Sequence, residues 1–333
     1  MTVSRRQFVQ GVGVAGLGLL AGCGRLPGQA QPQANVPRLG FLATVSPTPN
    51  QDAFFKEFNE LGYVDGQNVV IDYRWTEGRD EQLPTLAAEL VRLDVDVIVT
   101  QGTNATLAAR SATATIPIVQ AVGAGDLVRE GVAVSLARPG GNVTGLTEIG
   151  PELTAKRLEL LKDAVSGLAR VAVLRQHPPS GSAVSQFEET QSAAQALGIQ
   201  LHYLEVRGPD DFEGLLDTAI RERADALFML VAPIIIEHHV QIATLAVAKR
   251  LPAMFDRRGF AVAGGLMAYG PVQADMFRRS AHYVDRILKG VKPADLPIER
   301  PREFAFVVNL KTAQALGLTI PQHVLLQATE VIQ

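Results

Sequence analysis

The sequence predicts an α/β protein with two similar lobes, each a doubly wound parallel sheet, arranged around a cleft. Three observations support this fold class. From residue 38 onward, short apolar runs alternate with segments of helical periodicity, and this pattern starts again after residues 147–151. The chain has 333 residues, which is enough for two domains. Alternating strands and helices imply parallel sheets covered by helices on both faces, because parallel neighbours need a crossover connection.

The first half of the body begins with this alternation. Phe54, Phe55 and Phe58 follow helical spacing, and Gly62 is a suitable helix stop. The apolar runs predict strands at 38–44, 69–75, 95–100, 117–122 and 143–147, and the periodic segments predict helices at 51–61, 83–91 and 103–111.

The second half repeats the alternation and ends in a helix that Gly317 stops. It predicts helices at 151–165, 185–197, 211–223, 235–250, 274–288 and 311–316, and strands at 170–174, 200–206, 225–231, 253–255, 265–269 and 304–308.

These segments set the expected organisation of the body. Residues 38–147 form the first lobe, with part of 257–270 returning to it, and residues 148–256 form the second lobe. Residues 271–333 supply a strand and helices that pack mainly on the second lobe. Ligands of such open sheets bind at the carboxyl ends of the strands, so the loops at those ends should line the cleft.

The first residues differ in character from the body, since no acidic residue precedes Asp52. Arg5 and Arg6 form a twin-arginine export signature, and the apolar run at 11–20 is too short to span a bilayer. Leu-Ala-Gly-Cys at 20–23 is typical of a lipobox. We therefore expect a signal peptide at 1–22, a lipid on Cys23 and a flexible tether at 23–37. The alternative is a buried N-terminal helix with a chance cysteine.

Composition excludes several classes of function. The net charge is −3 with dispersed Lys and Arg, and aromatic residues make up only 6%, so we expect no nucleic-acid partner. A single cysteine permits neither an internal disulfide nor a cysteine-based zinc site. The six histidines show no HExxH spacing, and no nucleophile elbow or Walker loop is present. We expect no cofactor, no metal, no catalytic residues and a monomer.

The turn Gly102-Thr103-Asn104 is the main candidate for ligand contact, because it joins a predicted strand to a helix start. Free N–H groups and the positive helix end favour a carboxylate or phosphate there. The alternative is helix capping by Thr103 or Asn104 alone. Ser46 follows the first strand with a hydroxyl donor, or lies in an ordinary polar loop. Asp126 could pair with a ligand ammonium or cap the following helix.

Two further candidates end strands or lie in loops at the predicted cleft. His177 is a ligand contact or a bystander in such a loop, and Tyr269 could stack on a ligand or pack in the core. The adjacent His238 and His239 point in different directions on a helix and do not form a metal pair.

Several longer stretches carry a family resemblance that covers residues 37–333. They are 60–68 (ELGYVDGQN), 73–78 (YRWTEG), 86–92 (LAAELVR), 137–145 (ARPGGNVTG), 156–162 (KRLELLK), 264–270 (GGLMAYG), and 309–313 (NLKTA) through Pro321. With these segments the body resembles the lipoprotein-type family of bacterial ABC-transporter substrate-binding proteins, which includes tryptophan and tyrosine binders.

The resemblance implies a type I periplasmic-binding fold, two lobes joined by three crossings, and no catalysis. It also implies ligand contacts from Ser46, Thr103, Asn104 and Asp126, with Tyr269 close by. The chain departs from the family's pattern at Gln176-His177-Pro178, at Val231-Ala232-Pro233 and at Leu127. These departures predict a less polar second-lobe half of the site.

The resulting hypothesis is an extracytoplasmic, membrane-anchored lipoprotein that captures a small molecule and delivers it to an ABC permease. The expected ligand is an amino acid or a related small carboxylate or aromatic compound. Two alternatives remain open at this point, namely a ligand sensor for a membrane signalling partner and an enzyme on the same frame.

Overall fold

A computed structural model describes residues 36–148, 151–179 and 183–333, and residues 37–333 form one compact unit. The predicted signal peptide and nearly all of the predicted tether, with Arg5, Arg6 and Cys23, lie outside the described residues. Among the described helices, none has the length and apolar character needed to cross a membrane.

The first lobe contains a parallel sheet with the order β2-β1-β3-β4-β5. Its elements are β1 (Arg38–Ala43), α1 (Pro49–Glu60), β2 (Val70–Trp75), α2 (Leu83–Arg92), β3 (Val97–Gln101), α3 (Thr103–Ala112), β4 (Ile118–Val122) and β5 (Val143–Gly145). Strands β3 and β4 are buried along their whole length, as expected for central strands covered on both faces. All eight elements predicted for this half of the sequence are present.

The second lobe contains a seven-stranded sheet with the order β12-β11-β10-β9-β8-β6-β7. Its strand pairs are parallel except for β10 and β11. From residue 151 to the end, the elements are α4 (Pro151–Ala164), β6 (Arg170–Gln176), α5 (Ala183–Leu197), β7 (Gln200–Val206), α6 (Asp211–Arg221), β8 (Ala226–Met229), α7 (Pro233–Glu237), α8 (His239–Ala248), β9 (Ala253–Phe255), α9 (Arg258–Val262), β10 (Met267–Pro271), α10 (Gln273–Leu288), β11 (Phe304–Asn309), α11 (Leu310–Leu316), α12 (Gln322–Leu325) and β12 (Glu330–Ile332). These two lobes confirm the predicted α/β class.

The predicted helix at 235–250 is two helices in the structure. α7 ends at Glu237 and α8 begins at His239, because His238 has φ −99° and ψ 26° and interrupts the helical backbone. The apolar run at 234–236 is followed by Glu237, His238 and His239, none of which is a glycine or proline that would signal this break. Three short elements, α9, α12 and β12, were also not predicted.

The connection between the lobes differs from the expectation. β10 pairs with β9 and β11 in the second sheet, so residues 257–270 do not return to the first lobe. The returning element is α10, whose Met276, Phe277 and Val284 are fully buried in the core of the first lobe together with Phe54 of α1. The chain therefore crosses between the lobes three times, after β5, before α10 and before β11.

Candidate functional site

The two lobes enclose a cavity of about 50 Å³ at the carboxyl ends of β1, β3 and β4. The first lobe lines it with the ends of these strands and the loops after them, and the second lobe with the loop after β8, α7 and one arginine. The lining residues are Thr44, Val45, Gln101, Gly102, Thr103, Asn104, Val122, Gly123, Ala124, Glu148, Val231, Ala232, Pro233, Ile236 and Arg257. We call this space the first cavity.

A second cavity of about 30 Å³ adjoins the first, since both are lined by Ala124, Glu148 and Val231. Its remaining walls come mainly from the second lobe, and they carry more charge. The other lining residues are Leu153, Thr154, Arg157, Gln186, Glu189, Asp256 and Pro271. The cleft thus contains a more apolar chamber next to a charged one.

The turn after β3 lines the first cavity with all three of its residues. Gly102 has φ 99°, and a Cβ there would lie only 2.6 Å from Thr44 Oγ1. Buried Thr103 accepts a hydrogen bond from the Gly125 N–H at its Oγ1 (2.8 Å). The side-chain amide of Asn104 donates to Asp80 Oδ2 (2.5 Å). The turn is therefore held by neighbouring side chains, and it presents the start of α3 to the cavity.

Ser46 binds a residue of the opposite lobe. Its N–H donates to Glu237 Oε2 (3.0 Å) and its hydroxyl to Glu237 Oε1 (2.6 Å), so the loop after β1 is joined to the end of α7. A second cross-cleft contact is exposed, where Arg129 Nη1 and Nη2 donate to the Glu188 carboxylate at 2.7 and 3.2 Å. These contacts hold the lobes in a closed arrangement.

Like Ser46, three further predicted site residues lie outside both cavities. Asp126 accepts hydrogen bonds from the N–H groups of Val128 (3.0 Å) and Arg129 (3.1 Å) in a turn, and the helix that its capping alternative predicted does not follow it. His177 is exposed, with its Nδ1 at 3.4 Å from Glu205 Oε2. The ring of Tyr269 stacks on Phe304 and packs against the second-lobe core. All three side chains are occupied by local partners.

Buried charges near the second cavity were not found from the sequence. Arg257 Nε donates to Asp256 Oδ2 (2.7 Å), and Gln273 Nε2 donates to Glu148 Oε1 (2.9 Å). Burial raises the pKa of Glu148, while the positive charge of Arg257 opposes this shift. These residues are scattered over more than a hundred positions and form no motif, so no local signal could have identified them.

Arg157 on α4 is the fourth charged residue of this group, with Glu148, Asp256 and Arg257. Its exposed fraction is 7%, and its Nε is buried with no hydrogen-bond partner among the described residues. Burial lowers the pKa of the guanidinium, and the negative charges of Asp256 and Glu148 oppose this shift without a hydrogen bond to it. A guanidinium keeps its proton throughout the physiological range, so Arg157 is a buried positive charge.

The chain belongs to the family of ABC transporter substrate binding proteins, whose family model matches residues 46–332. The family consists of substrate-binding proteins and not of enzymes, which fits a closed cleft lined by binding groups.

Individual relatives resemble this chain over most of its length. It is 22% identical to a tyrosine-binding protein of Clostridioides difficile over 316 residues, which is 92% of this chain and 90% of that protein. A crystal structure of an ABC domain in complex with L-Trp from Streptococcus pneumoniae is 28% identical, with a TM-score of 0.80 over 89% of this chain and 99% of that one. A conserved domain protein from Vibrio cholerae is 26% identical, with a TM-score of 0.81 over the same shares.

Proposed function

We propose that this protein captures an amino acid, or a related small carboxylate or aromatic molecule, outside the cytoplasm and delivers it to an ABC importer. The observation that carries the proposal is the pair of adjoining cavities between the lobes, one with Val45, Val122 and Ile236 in its walls and one with buried charges. An amino acid has the same division, with an apolar side chain next to a charged head group. The tyrosine-binding and L-Trp-bound relatives support this ligand class.

The first cavity suits the side chain of such a ligand. Its apolar walls come from both lobes, so a bound side chain would contact both and favour their closure. From the predicted site we retain Gly102, Thr103 and Asn104 as ligand contacts and Ser46 as a residue that closes the cleft. Asp126, His177 and Tyr269 have local partners and are not part of this proposal.

A thermal-shift panel of the twenty standard amino acids and small aromatic carboxylates tests the ligand class. A ligand present at 100 times its Kd adds about 2.7 kcal/mol to the free energy of unfolding, so a true ligand should raise the Tm clearly. Sugars and nucleosides serve as controls. No shift with any amino acid or carboxylate would contradict the proposal.

We further propose that Cys23 carries a lipid anchor and that the Arg5–Arg6 pair directs export. Cys23→Ala should release the protein from membranes or stall its processing. A correctly processed Cys23→Ala protein that stays in the membrane would contradict the anchor. Changing both arginines to lysine should leave precursor in the cytoplasm, and unchanged export would show that the pair is incidental.

A further inference from the structure

The Arg157 side chain is buried in the cleft, and none of the residues that the structure describes provides a hydrogen-bond partner for its Nε. Two other arginines with largely buried side chains are paired. Arg257 forms an ion pair with Asp256, and Arg279, whose side chain is 13% exposed, forms ion pairs with Asp275 and Glu299. Burying an unsatisfied charged group costs free energy, so a native structure that does so calls for an explanation.

The surroundings of Arg157 indicate what could satisfy it. The residue lines the second cavity, which adjoins the first at Glu148, Ala124 and Val231. A molecule whose side chain fills the first cavity would therefore bring its head group close to Arg157. Guanidinium groups bind carboxylates through two parallel hydrogen bonds, which a single lysine ammonium cannot reproduce.

We propose that Arg157 binds the carboxylate of the captured amino acid. The inference rests on the proposed function, and it places the anionic end of the ligand on α4 of the second lobe. The sequence had suggested the turn at 102–104 for that role. In the structure the Asn104 amide already donates to Asp80, and the Thr103 hydroxyl oxygen already accepts from Gly125.

The acidic residues around the second cavity add a requirement on the ligand. Glu148, Glu189 and Asp256 line it together with Arg157, and Asp256 is already paired with Arg257. A simple carboxylate would add a further negative charge to this group. A zwitterion adds none, because its ammonium offsets its carboxylate, so the site should prefer an amino acid over the same molecule without its amino group.

The test compares wild type, Arg157→Met and Arg157→Lys by calorimetry. The probes are the standard amino acid that gives the largest thermal shift and its α-carboxamide. We expect Arg157→Met to lose about 100-fold or more in affinity for the amino acid, because the carboxylate would lose its buried partner. Arg157→Lys keeps the positive charge but lacks the planar guanidinium group, so its loss of affinity for the amino acid should be smaller. Affinity for the carboxamide should not fall by more than about threefold in Arg157→Met, because this probe has no carboxylate to lose a partner.

Stability separates this role from a structural one. Without ligand, Arg157→Met should unfold at the same or a higher denaturant concentration than wild type, because it removes a buried guanidinium whose Nε has no hydrogen-bond partner among the described residues. Arg279→Met is the matched control, since it breaks buried ion pairs outside the cleft. It should lower stability and leave the affinity of the folded protein unchanged.

The outcomes distinguish the two proposals. If no standard amino acid binds wild type, the proposed function fails and the inference fails with it. If an amino acid binds wild type and Arg157→Met within about threefold, the inference is overturned and the function stands. If Arg157→Met failed to fold, the inference would also be overturned. A guanidinium whose role is to bind a ligand should not be needed for folding of the unliganded protein.

Discussion

At the scale of single residues, the Thr103 hydroxyl connects the turn after β3 to the loop after β4. Its oxygen accepts a hydrogen bond from the Gly125 N–H. Because this bond is buried, water cannot readily take the place of the hydroxyl as the acceptor. We expect Thr103→Val to lower the free energy of unfolding by about 1–3 kcal/mol, because this buried N–H is left unsatisfied. Denaturant unfolding measures this change.

The same variant tests the contact of Thr103 with the ligand. Loss of one neutral hydrogen bond should weaken binding by about 2–10-fold, measured by calorimetry on folded protein. Thr103→Ser keeps the hydroxyl and is the control. Wild-type stability of Thr103→Val would show that the bond to Gly125 does not hold the turn.

Glu148 makes the stability of the protein depend on pH. Burial raises its pKa above the ordinary value of 4.5, so the folded state binds its proton more tightly than the unfolded state does. The stabilising contribution of this group is complete below its unfolded pKa and is lost as the pH rises through its folded pKa. Wild type should therefore lose stability relative to Glu148→Gln as the pH rises.

Glu148→Gln isolates this effect because its amide oxygen can still accept the Gln273 hydrogen bond. We expect the stability difference between variant and wild type to grow from about pH 4.5 towards neutral pH. Denaturant unfolding at a series of pH values measures it, and titrating groups that do not interact with Glu148 cancel in the difference. A difference independent of pH would show that Glu148 titrates alike in the folded and unfolded chains.

At the scale of elements, the junction of β3 and α3 depends on glycine at position 102. Its φ of 99° and ψ of 137° lie in a region that other residues rarely adopt, and Thr44 occupies the space of a side chain. Gly62, just after α1, also has a positive φ of 96° but faces open space. The two glycines therefore differ in how closely their surroundings approach.

We expect Gly62→Ala to cost about 1–2 kcal/mol of stability from backbone strain. Gly102→Ala should cost about 1–3 kcal/mol more, because Thr44 must also move. It should weaken ligand binding too, since the start of α3 would shift. Thermal unfolding and calorimetry of both variants measure these effects. Equal losses of stability in the two variants would show that the Thr44 side chain moves aside without strain.

At the scale of the whole molecule, Glu237 links the lobes across the cleft. Both of its carboxylate oxygens accept hydrogen bonds from Ser46, which is 191 residues away in the sequence. These bonds form only when the lobes are closed, so they favour the closed population. Glu237→Ala should weaken ligand binding by about 10–100-fold, mostly through faster dissociation, and should enlarge the unliganded protein in small-angle scattering.

Arg129→Ala is the matched control for lobe closure. It removes the exposed cross-cleft ion pair with Glu188. The side chains of Arg129 and Glu188 are both about half exposed, and exposed ion pairs contribute about 0–1 kcal/mol. We expect a change in affinity of less than about fivefold. An equal effect of the two variants would show that Glu237 does not dominate closure.

Sequence reasoning was most successful for single elements. The apolar run that becomes β3 is buried along its length, and the periodic phenylalanines of α1 place Phe54 and Phe58 in the core. It was less successful where one element is interrupted, as at His238, because no glycine or proline marks the break. At the site, Gly102, Thr103 and Asn104 line the first cavity as expected of a loop at the carboxyl end of a central strand.

The order of strands and helices, the two-lobed α/β class and the position of the cleft loops follow from the sequence by itself, because hydrophobic periodicity and turn residues act over a few neighbouring positions. Only the tertiary structure decided that α10 returns to the first lobe, that Ser46 meets Glu237, and that Arg157 lies beside Glu148 and Asp256. Burial and charge pairing depend on which distant segments come into contact. The apolar face of a helix shows that the helix packs against a sheet, but it does not show which sheet.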